Sequence, residues 1–151
     1  MKRILFVCLG NICRSPTATA VFRARAEAAG LNARADGAGT GAWHKGEPPD
    51  ARAQAEALSR GYDMSALRAR QVTGLDFGRY DLILAMDGAN MKALERIRPA
   101  HSKARLKLFL DYAPDQPLRE VPDPYYEDGF DKVLDLIEAA TDGLIAELRG
   151  G

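Results

Sequence analysis

Apolar residues along this chain fall into two kinds of run. Short, nearly continuous ones, RILFVC at residues 3–8, YDLILAM at 80–86 and LKLFL at 106–110, are rich in β-favouring side chains and predict buried strands. Others recur every three or four positions: Ala18, Val21, Phe22, Ala26 and Ala29, then Phe130, Val133, Leu134, Ile137, Thr141, Leu144, Ile145 and Leu148. The first set predicts a helix with Ser15 as N-cap and Pro16 at its first position, stopped at Gly30; the second predicts a long closing helix whose stripe is core. Between them, residues 32–36 form a weaker strand candidate and 37–49 a loop. Asp50 caps a helix running to about residue 60 and ended by Gly61, and a further helix spans 89–97 before Pro99. Pro114, Pro117, Pro122 and Pro124 exclude regular structure, so 111–128 reads as a long surface loop.

Strands alternating with helices, without internal repeat or linker, predict an α/β fold: an open parallel sheet with helices on both faces and right-handed crossovers. At 151 residues the chain reads as one domain, 1–151. Lys plus Arg equals Asp plus Glu at 21 each, so no overall field favours nucleic acid or an anionic membrane, and any anion site must be built locally. The N-terminal apolar stretch is too short for a signal h-region or a membrane span, which makes the expected location cytoplasmic. Cys8 and Cys13 are too few for a disulfide framework, and His44 and His101 stand in unrelated segments, so neither stapling nor a metal is expected.

One local anion site is legible after the first strand. Cys8 is followed by Leu9, Gly10, Asn11, Ile12, Cys13 and Arg14, and the helix starts directly afterwards. Ligands of open parallel sheets bind beyond the carboxyl ends of the strands. A tight loop there turns backbone N–H groups inward, and the helix start adds unpaired donors and a positive dipole end, so a dianion fits. Gly10 and Asn11 tolerate the left-handed backbone such a loop needs. Arg14 brings a planar fork that matches two phosphate oxygens. The same donors favour Cys8 as a thiolate nucleophile. Ser15 has two readings, a plain cap or a hydroxyl bonded to the Cys8 sulfur. Cys13 also has two, a supplier of backbone N–H or a partner for a reversible disulfide with Cys8 under peroxide. A lone cysteine at a strand end is ordinarily just small and buried; the Cys-x5-Arg loop between a strand and a Ser-Pro helix start sets this one apart.

Cleaving a phosphate monoester also requires an acid for the leaving oxygen and then a base for water. Asp123 stands in VPDPYYEDGF at 121–130, between Pro122 and Pro124 and ahead of Tyr125 and Tyr126, two rings able to line a slot for a flat substrate. Asp-Pro is equally an ordinary turn dipeptide, and Glu120, Asp128 and Asp87 stay open as alternatives on residue chemistry alone. Trp43 either walls the substrate or packs over a core edge.

VCLGNICRSPT at 7–17 together with DPYY at 123–126 resembles the low-molecular-weight protein-tyrosine phosphatases. GTGAWHKG at 39–46, ARQVT at 69–73 and LILAMD at 82–87 extend the resemblance over nearly the whole chain. It implies a four-stranded parallel doubly wound sheet flanked by helices, with a phosphate-binding loop after the first strand. It also implies cofactor-free and metal-free hydrolysis of phosphotyrosine in proteins, and of aryl phosphates, through a cysteinyl-phosphate intermediate. On that resemblance Cys8 is the nucleophile, Arg14 binds phosphate and transition state, and Asp123 is general acid, then base. Leu9, Gly10, Asn11, Ile12, Cys13 and Ser15 hold the phosphate, while Trp43, Tyr125 and Tyr126 flank the ring. Gly37, Leu67 and Thr19 depart from a serine, a histidine and a glutamate frequent in that family, which implies a less rigidly held loop. Asp87 matches the family's MD dipeptide and reads as structural. A thioredoxin-coupled arsenate reductase has a similar loop, but its relay needs a cysteine after Cys13, and this chain has none. A phosphoprotein-binding module would not need Asp123.

Overall fold

A computed structural model of the chain describes residues 1–125 and 129–150. Among them β1 (Lys2–Cys8), β2 (Ala33–Gly39), β3 (Leu82–Ala85) and β4 (Arg105–Leu108) form one parallel sheet in the order β2-β1-β3-β4. The central β1 is buried on both faces: Ile4, Phe6 and Cys8 enter one apolar layer, Leu5 and Val7 the other, as the period-two alternation of a strand requires. Helices α1 (Arg14–Ala28), α2 (Ala51–Ser59) and α5 (Phe130–Gly150) cover the first layer. Helices α3 (Asp76–Arg79) and α4 (Gly88–Ile97) cover the second. In the first layer the Phe6 ring meets Phe109 edge-on at 5.0 Å between centroids and Phe22 at 5.9 Å. Across the outside of that layer, Glu138 of α5 accepts from Arg25 of α1, from the Tyr62 hydroxyl and from Arg60. No helix among the described residues is long and apolar enough to cross a membrane.

The doubly wound parallel architecture agrees with the sequence reading, and the differences are local. Strand β2 runs on through residues 37–39, expected as loop, because Gly37, Ala38 and Gly39 pair with Phe6, Val7 and Cys8. Gly39 is there for closeness: a Cβ on it would lie 2.8 Å from the Leu9 carbonyl oxygen, so only glycine lets β2 approach the loop after β1. Strand β4 stops at Leu108, and a 3-10 turn at Phe109–Tyr112 buries Phe109, Leu110 and Tyr112, so the long loop begins with a core turn. The four-residue α3 was not expected. Its Asp76 carboxylate is buried and accepts from Thr73 N and from both terminal nitrogens of Arg70.

The start of α1 also differs. Cys13 occupies the N-cap position without a side-chain cap bond, and Ser15 lies inside the first turn. Pro16 is therefore the third helical residue, still within the turn whose N–H groups have no helical acceptor. All residues from Arg14 to Phe22 are buried, because this end of the helix is driven into the protein beneath the loop that it follows.

Candidate active site

Cys8 ends β1, and the chain turns at once through a residue in the left-handed region, Asn11, with φ 58°. The turn aims Asn11 N–H at the Cys8 sulfur, 3.2 Å away. The Asn11 side chain is oriented from outside the loop: its Oδ1 accepts Arg70 N at 3.1 Å, so its Nδ2 donates to Ser15 Oγ at 2.6 Å. With that lone pair occupied, the Ser15 hydroxyl proton has the Cys8 sulfur at 3.0 Å and the Ala38 carbonyl oxygen at 3.4 Å as acceptors. The sulfur is the nearer. Of the two readings of Ser15, the structure places its hydroxyl on the Cys8 sulfur rather than on a cap. Arg70 is itself fixed, since Gly39 N donates to its carbonyl at 2.8 Å and its guanidinium pairs with Asp76.

Gly37 and Leu67 therefore do not leave Asn11 loose. Both polar atoms of the Asn11 side chain are bonded without them, and Leu67 packs against the apolar layer under α1. A Cβ on Gly37 would lie 2.9 Å from Asn11 Nδ2 and 3.1 Å from Thr19 Oγ1. Thr19 in turn donates to the Ser15 carbonyl at 2.8 Å.

Arg14 is only 2% exposed. Its Nη1 donates to Asp87 Oδ2 at 2.7 Å and to the Val121 carbonyl at 3.0 Å, and its Nη2 faces Asp123 Oδ2 at 3.5 Å. Burial works against the charge, but Cys8, Asp87 and Asp123 around it hold the guanidinium pKa above its ordinary value. Asp87 has a structural role, capping α4 through Asn90 N at 2.8 Å, and it also seats Arg14. Of the four carboxylates left open by residue chemistry, Glu120 accepts Gly88 N at 2.6 Å and Asp128 lies outside the described residues. Asp123 is part-exposed, and its Oδ1 accepts Tyr125 N at 3.0 Å.

These groups meet in a cleft of about 250 Å³ whose lining includes Cys8, Arg14, Cys13, Asp123, Trp43 and Tyr125. Leu9, Gly10 and Ile12 complete the wall on the loop side. Trp43 is 71% exposed, so it stands at the mouth rather than over a core edge, its ring across Gly41, where a side chain would collide with it. Tyr126 lies outside the described residues. His44 also lines the cleft, 5.9 Å from the Tyr125 ring, with Nδ1 3.0 Å from Glu47 Oε2. Sequence reasoning weighed it only as a metal ligand; its place beside Trp43 in GTGAWHKG was the available signal.

Cys13 differs from its loop partner. Burial, then Asp50, the Cys8 sulfur and Asp123, push its thiol well above the ordinary cysteine range. A thiol held protonated alkylates slowly, so at pH 7.5 iodoacetamide leaves Cys13 unmodified in the folded protein and modifies it readily in urea. Peptide mapping by mass spectrometry reads this directly, and equal rates in the two states contradict it.

Comparison with known proteins finds relatives over nearly the whole chain. The model of the family described as low molecular weight phosphotyrosine protein phosphatase matches residues 3–150. A low molecular weight protein-tyrosine-phosphatase of Streptomyces coelicolor is 47% identical, with 97% of this chain and 93% of that protein aligned. The crystal structure of YfkJ from Bacillus subtilis superposes with a TM-score of 0.94 at 41% identity, covering 99% of this chain and 96% of that one. That of the protein tyrosine phosphatase from Entamoeba histolytica gives 0.95 at 38% identity, covering 100% and 99%. With the family model spanning residues 3–150, the chain belongs to the low molecular weight phosphotyrosine protein phosphatase family.

Proposed function

We propose that this chain hydrolyses phosphotyrosine in proteins, and aryl phosphates generally, with Cys8 as nucleophile, Arg14 as phosphate and transition-state binder and Asp123 as general acid, then base. The observation that carries the reading is the convergence on one cleft of a sulfur facing two hydrogen-bond donors, a buried guanidinium and a carboxyl group. The Cys8 thiolate attacks phosphorus; an S–P bond forms as the bond to the phenolic oxygen breaks, and Asp123 gives its proton to that oxygen. In the second step Asp123 takes a proton from water as the water oxygen attacks phosphorus, and the S–P bond breaks to return the thiolate and release phosphate. Backbone N–H groups of the loop from Leu9 to Arg14 and the Arg14 fork face the charge on the equatorial oxygens in both steps. The Ser15 hydroxyl favours sulfur both as attacking and as departing thiolate. Trp43 and Tyr125 present flat faces to an aromatic ring, and Tyr126 is proposed to join them.

Asp123 provides the test. Asp123→Ala lowers kcat/KM for phenyl phosphate or a phosphotyrosine peptide by about 10²-fold. It affects p-nitrophenyl phosphate much less, because p-nitrophenolate leaves without a proton. A uniform loss over leaving groups removes Asp123 from the acid role.

A further inference from the structure

Outside the cleft, one cation joins α2 to the segment that carries Asp123. Asp50 donates its N–H to the Ile12 carbonyl at 2.8 Å, so the start of α2 is pinned to the Cys8 loop. Its carboxylate caps α2 through Arg52 N and Ala53 N, and also accepts Arg52 Nε at 3.2 Å and Nη2 at 3.1 Å. Burial works against the Asp50 charge, yet these bonds hold its carboxyl below the usual range. Two bonds to one carboxylate fix the plane of a guanidinium. From that plane Arg52 Nη2 donates to the Tyr125 carbonyl at 3.0 Å. The guanidinium carbon stands 4.9 Å over the Phe130 ring and 5.9 Å from the Tyr125 ring, both within cation–π range.

The segment bearing the acid leaves the carboxyl end of β3 after Val121, whose N–H donates to the Met86 carbonyl at 2.8 Å. Beyond that point Asp123 meets Arg14 on its inner side, and its Oδ1 accepts Tyr125 N. The contacts form a continuous path: Ile12, Asp50, Arg52, Tyr125, Asp123. Arg52 is not part of the cleft lining, and the Tyr125 carbonyl links it to the segment that carries Asp123.

We infer that Arg52 is a positioning residue that holds Asp123 in register with the Cys8 loop through the Tyr125 carbonyl. The inference rests on the reading of Asp123 as proton donor. A lysine at this position keeps the charge but cannot span Asp50 and Tyr125 with a planar fork. Removing the clamp misplaces the acid without touching the phosphate site, and errors of an ångström in a catalytic group are expensive.

The experiment measures kcat/KM over aryl phosphates of graded leaving-group pKa, and inhibition by inorganic phosphate. The proteins are the wild type, Arg52→Ala, Arg52→Lys, Asp123→Ala and the double variant Arg52→Ala with Asp123→Ala. Arg52→Ala is expected to lose about tenfold on phenyl phosphate and under about threefold on p-nitrophenyl phosphate. Phosphate inhibition stays within about twofold, because Arg14 and the Cys8 loop are intact. Arg52→Lys falls between wild type and Arg52→Ala. In the Asp123→Ala background, Arg52→Ala removes nothing further from phenyl phosphate. Equal losses on both substrates, markedly weaker phosphate inhibition, or fully additive losses in the double variant overturn the assignment. The Arg52 side chain is half exposed and Asp50 keeps its backbone cap bonds without it, so the variants fold; thermal melts verify this, and Arg52→Lys carries the test if the alanine variant melts low. If Asp123→Ala leaves the leaving-group dependence unchanged, the acid reading fails and Arg52 falls with it. If Asp123→Ala steepens that dependence and Arg52→Ala does not, Arg52 alone fails.

Discussion

Cys8→Ser is expected to lower kcat on p-nitrophenyl phosphate by at least about 10⁴-fold. A serine hydroxyl is nucleophilic only when a base takes its proton. The atoms bonded to the Cys8 sulfur are the Asn11 N–H and the Ser15 hydroxyl, which steady an anion and do not remove a proton. His44 lines the same cleft, but its described hydrogen bond is to Glu47, and the groups bonded to the sulfur are those of Asn11 and Ser15. Phosphate binding survives the change, since the loop N–H groups and Arg14 remain. The paired measurement is turnover together with inhibition or calorimetric binding of inorganic phosphate. More than about 1% residual turnover, beyond contamination, removes Cys8 from the nucleophile role.

Arg14→Lys comes next in expected size, a fall in kcat/KM of about 10³-fold. Lysine keeps the charge, so the loss reads the geometry of the fork rather than its sign. The substitution reaches further than the phosphate, because Arg14 also bonds Asp87 and the Val121 carbonyl in a buried position. An ammonium can meet one of these while losing the other. The melting temperature is therefore expected to drop as well, since a buried acceptor left without its donor is destabilising. A variant within tenfold of wild type shows that the fork is dispensable.

The parts of this site that were legible in sequence are those whose geometry is local. Cys8, the turn at Asn11 and Arg14 at the helix start lie within a single strand–loop–helix unit, and spacing alone places them together. Ser15 was legible only in part, because a hydroxyl inside the first turn of a helix and a hydroxyl on its cap look alike until Asn11 is oriented, and Arg70 does that from 59 positions away. Asp123 needed a resemblance, since four carboxylates were chemically equivalent in sequence, and only long-range packing sends Asp123 to Arg14, Glu120 to Gly88 and Asp87 to the cap of α4. Residues 37–39 were misread as loop for a related reason: their glycines answer close approaches, Gly37 to the Asn11 side chain and Gly39 to the Leu9 carbonyl, not a turn. The four-residue α3 left no periodicity to read, and Asp76, which anchors it, is satisfied mostly by Arg70.

The missing side chain at Gly37 limits what this position can accept. A serine there would begin 2.9 Å from Asn11 Nδ2, and that nitrogen cannot retreat without breaking the 2.6 Å bond that aims the Ser15 hydroxyl. Thr19, on the other side, is tied to the Ser15 carbonyl. A serine at 37 therefore fits only if Asn11 and Thr19 both shift.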